Sequence, residues 1–210
     1  MSKIDLINDD CMNIIIDYET NYFDIAIVDP PYGLKAFSKN PEQGTGKLRS
    51  RIFQEMDKNR WDISPDKFYF KELVRVSKNQ IIWGGNYFDL PPTRGIICWD
   101  KEQPFPNFSA WEFAWTSYNK PAKIFRMNNR SRGKIHPTEK PIKLYSWLLN
   151  EYAEKGYKIL DTHLGSGNIA IACYNYNCDL VGIEVDPDYY KKAYFNFKQT
   201  TRQGELFEKR

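Results

Sequence analysis

The chain runs to 210 residues, 41% of them hydrophobic and 27% charged, with a net charge of +3. One sizeable core fits that length but not two, no apolar run approaches the roughly 20 residues of a membrane helix, and the polar, acidic residues 1–10 do not resemble a secretion signal. A single cytoplasmic domain with no membrane partner is therefore expected, although the modest net charge hides a split: residues 35–60 hold seven Lys/Arg against three acids and residues 120–143 eight against one, +11 together, leaving −8 for the rest.

An acidic body carrying two basic segments suits a local hold on a polyanion, because lysine and arginine contacts to phosphate dominate nucleic-acid affinity. Either segment alone reads equally well as a solvated loop. In chain order, Ile25-Ala26-Ile27-Val28 is a β-branched run stopped by Asp29-Pro30-Pro31, which predicts a buried strand ending in a rigid turn. Ile81-Ile82-Trp83 before Gly84-Gly85, and residues 95–99, read as two further strands separated by a segment containing Pro91-Pro92, with Phe113-Ala114-Trp115 a candidate for another. After Pro141, the residues Ile142, Tyr145, Leu148, Leu149 and Tyr152 recur at helical spacing, with Gly156 as a stop. Residues 157–160 then predict a strand, 161–167 a glycine-containing loop, a helix begins near Asn168, and residues 180–184 form a second strand, completing a βαβ unit. The last eight residues read as a loosely held tail. Strands alternating with helices predict an open α/β sheet with ligands bound beyond the carboxyl ends of its strands. The cysteines Cys11, Cys98, Cys173 and Cys178 lack the close pairs of a zinc site and lie away from both histidines, so no metal is expected and the thiols read as reduced and structural.

Two stretches carry chemistry. In Asp161-Thr162-His163-Leu164-Gly165-Ser166-Gly167, between a strand and a helix, glycines let the backbone approach a ligand and the helix start favours negative charge. Tight-turn glycines without a ligand would look the same. Glu184 closes the next strand 17 residues after Gly167, where nucleotide-binding α/β units place an acid for ribose hydroxyls; it also reads as a surface acid. In Asp29-Pro30-Pro31-Tyr32, the Asp29 carboxylate and the Pro30 carbonyl could accept both protons of an exocyclic base amine and localise its lone pair, while the prolines fix the acceptors in advance. Tyr32 offers a face on which an extruded base can stack, worth about 1–3 kcal/mol. A plain Asp-Pro turn with a core tyrosine is the other reading.

Taken together these residues resemble the S-adenosylmethionine-dependent DNA amino-methyltransferases, in the subgroup whose catalytic motif precedes its cofactor motif. Asp29, Pro30, Pro31 and Tyr32 match the catalytic motif, residues 161–167 the Asp-x-x-x-Gly-Ser-Gly cofactor loop, Gly182-Ile183-Glu184 the ribose-binding strand end, and His136-Pro137-Thr138-Glu139-Lys140-Pro141 the segment that precedes the loop. The resemblance spans residues 7–195 and implies a Rossmann-like methyltransferase fold, a mixed seven-stranded sheet flanked by helices. It implies S-adenosylmethionine as cofactor, with His136, Pro137, Thr138 and Lys140 holding the methionine moiety. Asp161, Thr162, His163, Gly165, Ser166, Gly167 and Asn168 would form the loop, Glu184 and Val185 would meet the ribose, Asp10 (or Asp9) with Cys11 would meet the adenine, and Asp29 would border the same pocket. Direct methyl transfer to N6 of a flipped adenine follows, without a covalent enzyme intermediate, in agreement with the absence of a Pro-Cys pair.

The sequence departs from the family in carrying Thr162-His163 where Pro-Phe is common and Asn168 where Thr is usual. It also lacks a separate target-recognition domain, so base reading falls to the basic loops: Lys47, Arg49 and Arg51 in one, and Arg126, Asn128, Asn129, Arg130, Arg132 and Lys134 in the other. A short target, or a homodimer, is the corollary, and a cognate restriction enzyme is the partner that such enzymes admit. Cytosine N4 in DNA and adenosine in RNA are the rival substrates, with Asp rather than Ser at position 29 favouring adenine; a catalytically silent nucleic-acid-binding scaffold is the rival class.

Overall fold

A computed structural model describes residues 2–33, 63–103, 109–128 and 139–208, with side chains as far as residue 201. Eight strands form one mixed sheet: β1 (Ile4–Asn8), β2 (Phe23–Val28), β3 (Ser77–Trp83), β4 (Ile96–Asp100), β5 (Trp111–Thr116), β6 (Lys123–Arg126), β7 (Lys158–Asp161) and β8 (Asp179–Glu184). Their spatial order is β1-β8-β7-β2-β3-β5-β4-β6. The first five are parallel, β5 runs antiparallel to both β3 and β4, and β6 runs parallel to β4. The fold is the expected one, with one strand more than the expected seven. The addition is a strand inside the second basic segment: Lys123-Ile124-Phe125-Arg126 alternates, Phe125 packs on Trp147 at 5.3 Å, and Lys123 pairs with Glu151.

The helices are α1 (Cys11–Ile15), α2 (Lys67–Val76), α3 (Ile142–Tyr152), α4 (Asn168–Tyr176) and α5 (Pro187–Glu208), with a 3₁₀ turn at Gly85–Tyr87. Alternation along β2 divides the core. Ile25 and Ile27 face a layer built from α3, α4 and α5, whereas Ala26 and Val28 face Ile15 of α1 and Tyr69, Leu73 and Val76 of α2. Helix α3 buries Leu144, Tyr145, Leu148, Leu149 and Tyr152, the stripe expected from spacing. Helix α5 continues to Glu208 and takes in most of the stretch read as a tail, where Gln203, Glu205 and Leu206 are good helix formers. No helix among the described residues is long and apolar enough to cross a membrane.

Candidate active site

Strands β2 and β7 are hydrogen-bonded neighbours, with Ile25 opposite Ile159 and Ala26 opposite Leu160, so residues 134 positions apart in sequence lie side by side in the sheet. Asp29 leaves β2 next to Asp161 and the glycine loop that leaves β7. That adjacency places the two motifs matched in sequence at one carboxyl rim of the sheet.

Both oxygens of Asp29 are engaged. The Tyr32 hydroxyl donates to Oδ1 at 2.8 Å, and the Lys140 ammonium contacts Oδ2. Lys140, whose side chain is 2% exposed, also lies 3.4 Å from Oε2 of Glu112, and Glu112 Oε1 lies 2.5 Å from Lys101 Nζ. A chain of alternating charge thus runs Lys101–Glu112–Lys140–Asp29. Beneath it lie two indoles: Lys101 sits 5.3 Å from the Trp99 ring and Lys140 5.0 Å from the Trp83 ring, and the two tryptophans meet edge to face at 6.5 Å. Burial works against the charge on Lys140, but Asp29 and Glu112 outweigh it and hold the ammonium above its ordinary range; burial likewise opposes the charge on Glu112, and its two lysines hold that carboxyl below its ordinary range.

Tyr32 occupies a slot that glycine makes possible. A Cβ on Gly84 would stand 2.1 Å from Tyr32 Cε1, and Gly84 has φ +67°, so no other residue fits there without moving the ring. The other side of the ring stacks on Tyr87, with centroids 4.7 Å apart and planes 21° apart. One face of the Tyr32 ring is therefore covered by Tyr87, itself 47% exposed, and burial followed by the Asp29 charge drives the Tyr32 phenol pKa upward.

The cofactor loop is built from backbone and buried acids. Asp161 accepts from His163 N at 3.0 Å; burial raises its carboxyl to about 7. His163 is pushed down to about 4 by burial, with its Nδ1 2.9 Å from Thr162 Oγ1, which meets the Tyr69 hydroxyl of α2 at 2.7 Å. Glu184, raised by burial, accepts from Gly165 N at 2.8 Å and Asp186 N at 3.0 Å, while Val185 beside it is 55% exposed. The two loop glycines serve different purposes. A Cβ at Gly165 would meet nothing nearer than 3.9 Å, whereas one at Gly167 would sit 2.9 Å from the Ala193 side chain, so Gly167 admits α5 and Gly165 faces open space. Ser166 is buried, and its carbonyl accepts from Asn196 of α5 at 3.2 Å. Asp10 caps α1 by accepting from Met12 N at 2.8 Å, Asp9 accepts from Asp10 N and from Asn13, and the Cys11 thiol is raised to about 12, first by burial and then by Asp10.

Two expected cofactor residues have partners within the protein. Lys140 directs its ammonium to Asp29 and Glu112, and Asn168 donates to Glu139 Oε1 and Lys140 O, both at 2.9 Å, tying the segment before α3 to the start of α4. Of the base-reading set, Arg126 ends β6 with Nε 3.5 Å from Asp100 Oδ2, and Asn128 donates to Glu102 O at 3.2 Å. His136, Pro137, Thr138, Lys47, Arg49, Arg51, Asn129, Arg130, Arg132 and Lys134 lie outside the described residues. The sequence reading missed Lys101, Glu112, Trp83, Trp99 and Tyr87. A glutamate alternating with Ala114 and Thr116 on an inward strand face was the legible sign of Glu112; the two lysines that neutralise it, Lys101 and Lys140, lie on other segments and leave no sign in the sequence.

A family model described as DNA methylase, covering N6 and N4 methyltransferases, matches residues 100–195. A Type II methyltransferase of Moraxella bovis, M2.MboI, is 23% identical over 243 residues, spanning 91% of this chain and 86% of its own. Among solved structures, a complex of M1.HpyAVI with SAM is 19% identical, with a TM-score of 0.58 over 90% of this chain and 97% of its own. PvuII DNA methyltransferase, described as cytosine-N4-specific, is 14% identical, with a TM-score of 0.65 over 94% of this chain and 87% of its own. Sheet order, the adjacency of the two motifs and these likenesses agree: the chain is similar to the N6/N4 DNA methylases, in sequence over residues 100–195 and in fold over most of its length.

Proposed function

We propose that this protein methylates N6 of an adenine extruded from DNA, using S-adenosylmethionine. The observation that carries the reading is Asp29, held between Tyr32 and Lys140 at the end of β2, one strand from the loop at Asp161 and Glu184. The loop suits the cofactor: nothing crowds Gly165, and Asp161 and Glu184 are buried acids that form no ion pair among the described residues, suited to a cationic ligand with ribose hydroxyls. When bound, the cofactor supplies an electrophilic methyl group.

The chain's own residues prepare the amine. Asp29 and the Pro30 carbonyl accept its two hydrogens and localise the lone pair, and Asp29 takes the departing proton late, because a carboxylate is too weak a base to ionise an aryl amine beforehand. The Tyr32 hydroxyl must leave Oδ1, or share it, for the amine to enter. The two basic segments are read as holding the phosphates around the extruded base; recognition of target bases by their arginines and asparagines, a second subunit, a cytoplasmic location and a cognate restriction enzyme belong to the same proposal.

Cytosine N4 is the second reading, favoured by the likeness to PvuII DNA methyltransferase. Mass spectrometry of nucleosides, after incubation with S-adenosylmethionine and methylation-free genomic DNA, separates the two. N6-methyladenine is expected. N4-methylcytosine as the sole product overturns the adenine assignment, and no product together with no cofactor binding by calorimetry leaves a nucleic-acid-binding scaffold.

A further inference from the structure

The geometry points to Glu112 and Lys101 as positioning residues for methyl transfer, acting on Asp29 through Lys140; the inference rests on the proposed reading of Asp29 as the amine's acceptor. Neither residue belongs to the catalytic or the cofactor motif. Glu112 is near the start of β5, two residues before Ala114, which pairs with Trp83 at the end of β3. The antiparallel course of β5 therefore carries Glu112 past the end of β3 to the rim where Asp29 sits. Gly84 N donates to Phe113 O at 2.8 Å and fixes that approach. Lys101 follows β4, and its own backbone is held by Ala110 O at 2.9 Å, so both ends of the Lys101–Glu112 pair are anchored in the sheet.

A buried lysine with Asp29 as its only partner would give that carboxylate its whole charge and compete with the substrate amine for Oδ2. Glu112 changes this. It takes part of the Lys140 ammonium at 3.4 Å, and Lys101 at 2.5 Å neutralises Glu112 in turn. The four side chains sum to zero charge, so the site can hold Lys140 almost fully buried without leaving an uncompensated charge. The indole faces of Trp99 and Trp83 bound the two ammonium groups and limit where each can sit. Asp29 is thereby oriented by a cation that it does not own outright.

The test compares wild type, Glu112→Gln, Glu112→Asp, Lys101→Met and the double variant Glu112→Gln/Lys101→Met. Transfer is measured with radiolabelled S-adenosylmethionine and methylation-free genomic DNA, cofactor affinity by calorimetry and folding by thermal melting. Glu112→Gln is expected to lower kcat by about 10- to 100-fold, the scale of one charge-assisted contact, with KM for DNA and cofactor Kd within about twofold. Glu112→Asp should recover part of the loss. Lys101→Met should lower kcat by about threefold, and the double variant should be no slower than Glu112→Gln, because Lys101 acts only through Glu112. Active wild type with unchanged kcat in Glu112→Gln overturns the proposal and leaves the function standing. Equal losses in kcat, cofactor affinity and melting temperature, additive in the double variant, also overturn it in favour of a purely structural role. If Glu112→Gln does not fold, an unchanged kcat in Lys101→Met overturns it. Wild type that transfers no methyl group overturns both the proposal and the reading beneath it.

Discussion

Asp29 and Asp161 stand at equivalent places, the carboxyl ends of the adjacent parallel strands β2 and β7, and the protein treats them in opposite ways. Asp29 has a lysine on one oxygen and a tyrosine on the other, with Glu112 and Lys101 behind them. Asp161 is buried with a backbone donor from His163, and burial raises its carboxyl to about 7 although that donor and the charge of Lys140 pull the other way. On the proposed function the difference separates two tasks. A group that must meet a neutral amine in one geometry is balanced and aimed from inside, whereas a pocket for a cationic ligand keeps its compensation for the ligand.

The largest effect that would break this comparison is expected at Asp29. Asp29→Ala should lower transfer by at least about 10³-fold, the scale of losing a preorganised polar group, while cofactor affinity measured by calorimetry changes little. A comparable loss of cofactor affinity would show that the two aspartates share one task. Lys140→Met should come next. It strands Asp29 and Glu112 without their shared cation, costing about 3–5 kcal/mol in denaturant unfolding and about 10²-fold in kcat. A stable and active variant would mean that the internal balance is dispensable.

Gly84→Ala sharpens the catalytic side alone. The added carbon overlaps Tyr32 and is placed at positive φ, so about 1–3 kcal/mol of stability should be lost. Fluorescence of 2-aminopurine in a DNA duplex should show poorer base extrusion, with cofactor binding intact. Gly165→Ala does the converse at lower cost: φ is +54° but space is free, so about 1–2 kcal/mol of strain and a weaker cofactor Kd are expected without loss of kcat at saturation.

The smallest effect is in pH dependence, and its sign follows from two buried groups. Asp161, raised to about 7, keeps its proton in the fold where the unfolded chain has lost it, so its contribution is full below the ordinary carboxylate range and is lost as pH rises through about 7. His163, lowered to about 4, stays neutral in the fold where the unfolded chain binds a proton below 6.5, so its contribution is lost as pH falls through that window. From about 4 to 6.5 the two oppose. In Asp161→Asn the histidine acts alone: melting temperature should climb from pH 4 to 6.5, and at pH 8 the variant should exceed wild type, while its cofactor affinity falls. A wild type and variant with parallel melting profiles would refute the raised carboxyl of Asp161.

Much of this was readable before any coordinates. The β-branched run before Asp29, the helical stripe from Ile142 to Tyr152 and the strand, glycine loop, helix and strand of residues 157–184 all carry local signals, since period and turn chemistry are properties of neighbours in the chain. Short or unusual elements were not readable. Strand β6 hid in a basic segment because four residues give too little alternation, and α2 was overlooked although Asp66 accepts from Tyr69 N at 2.9 Å in a regular helix cap.

The chemistry of the site divides in the same way. Motif order alone singled out the residues proposed to face the amine and the cofactor, because those groups are carried on backbone turns a few residues long. Only the folded chain decided that Lys140 meets Asp29, that Asn168 ties two segments together, and that Tyr87 stacks on Tyr32. Glu112 and Lys101 entered the site because the reversal of β5 in an otherwise parallel stretch brings its start to the catalytic rim. Buried charges find partners in space rather than in sequence, and the cost of leaving one uncompensated is what ties residues 29, 101, 112 and 140 together.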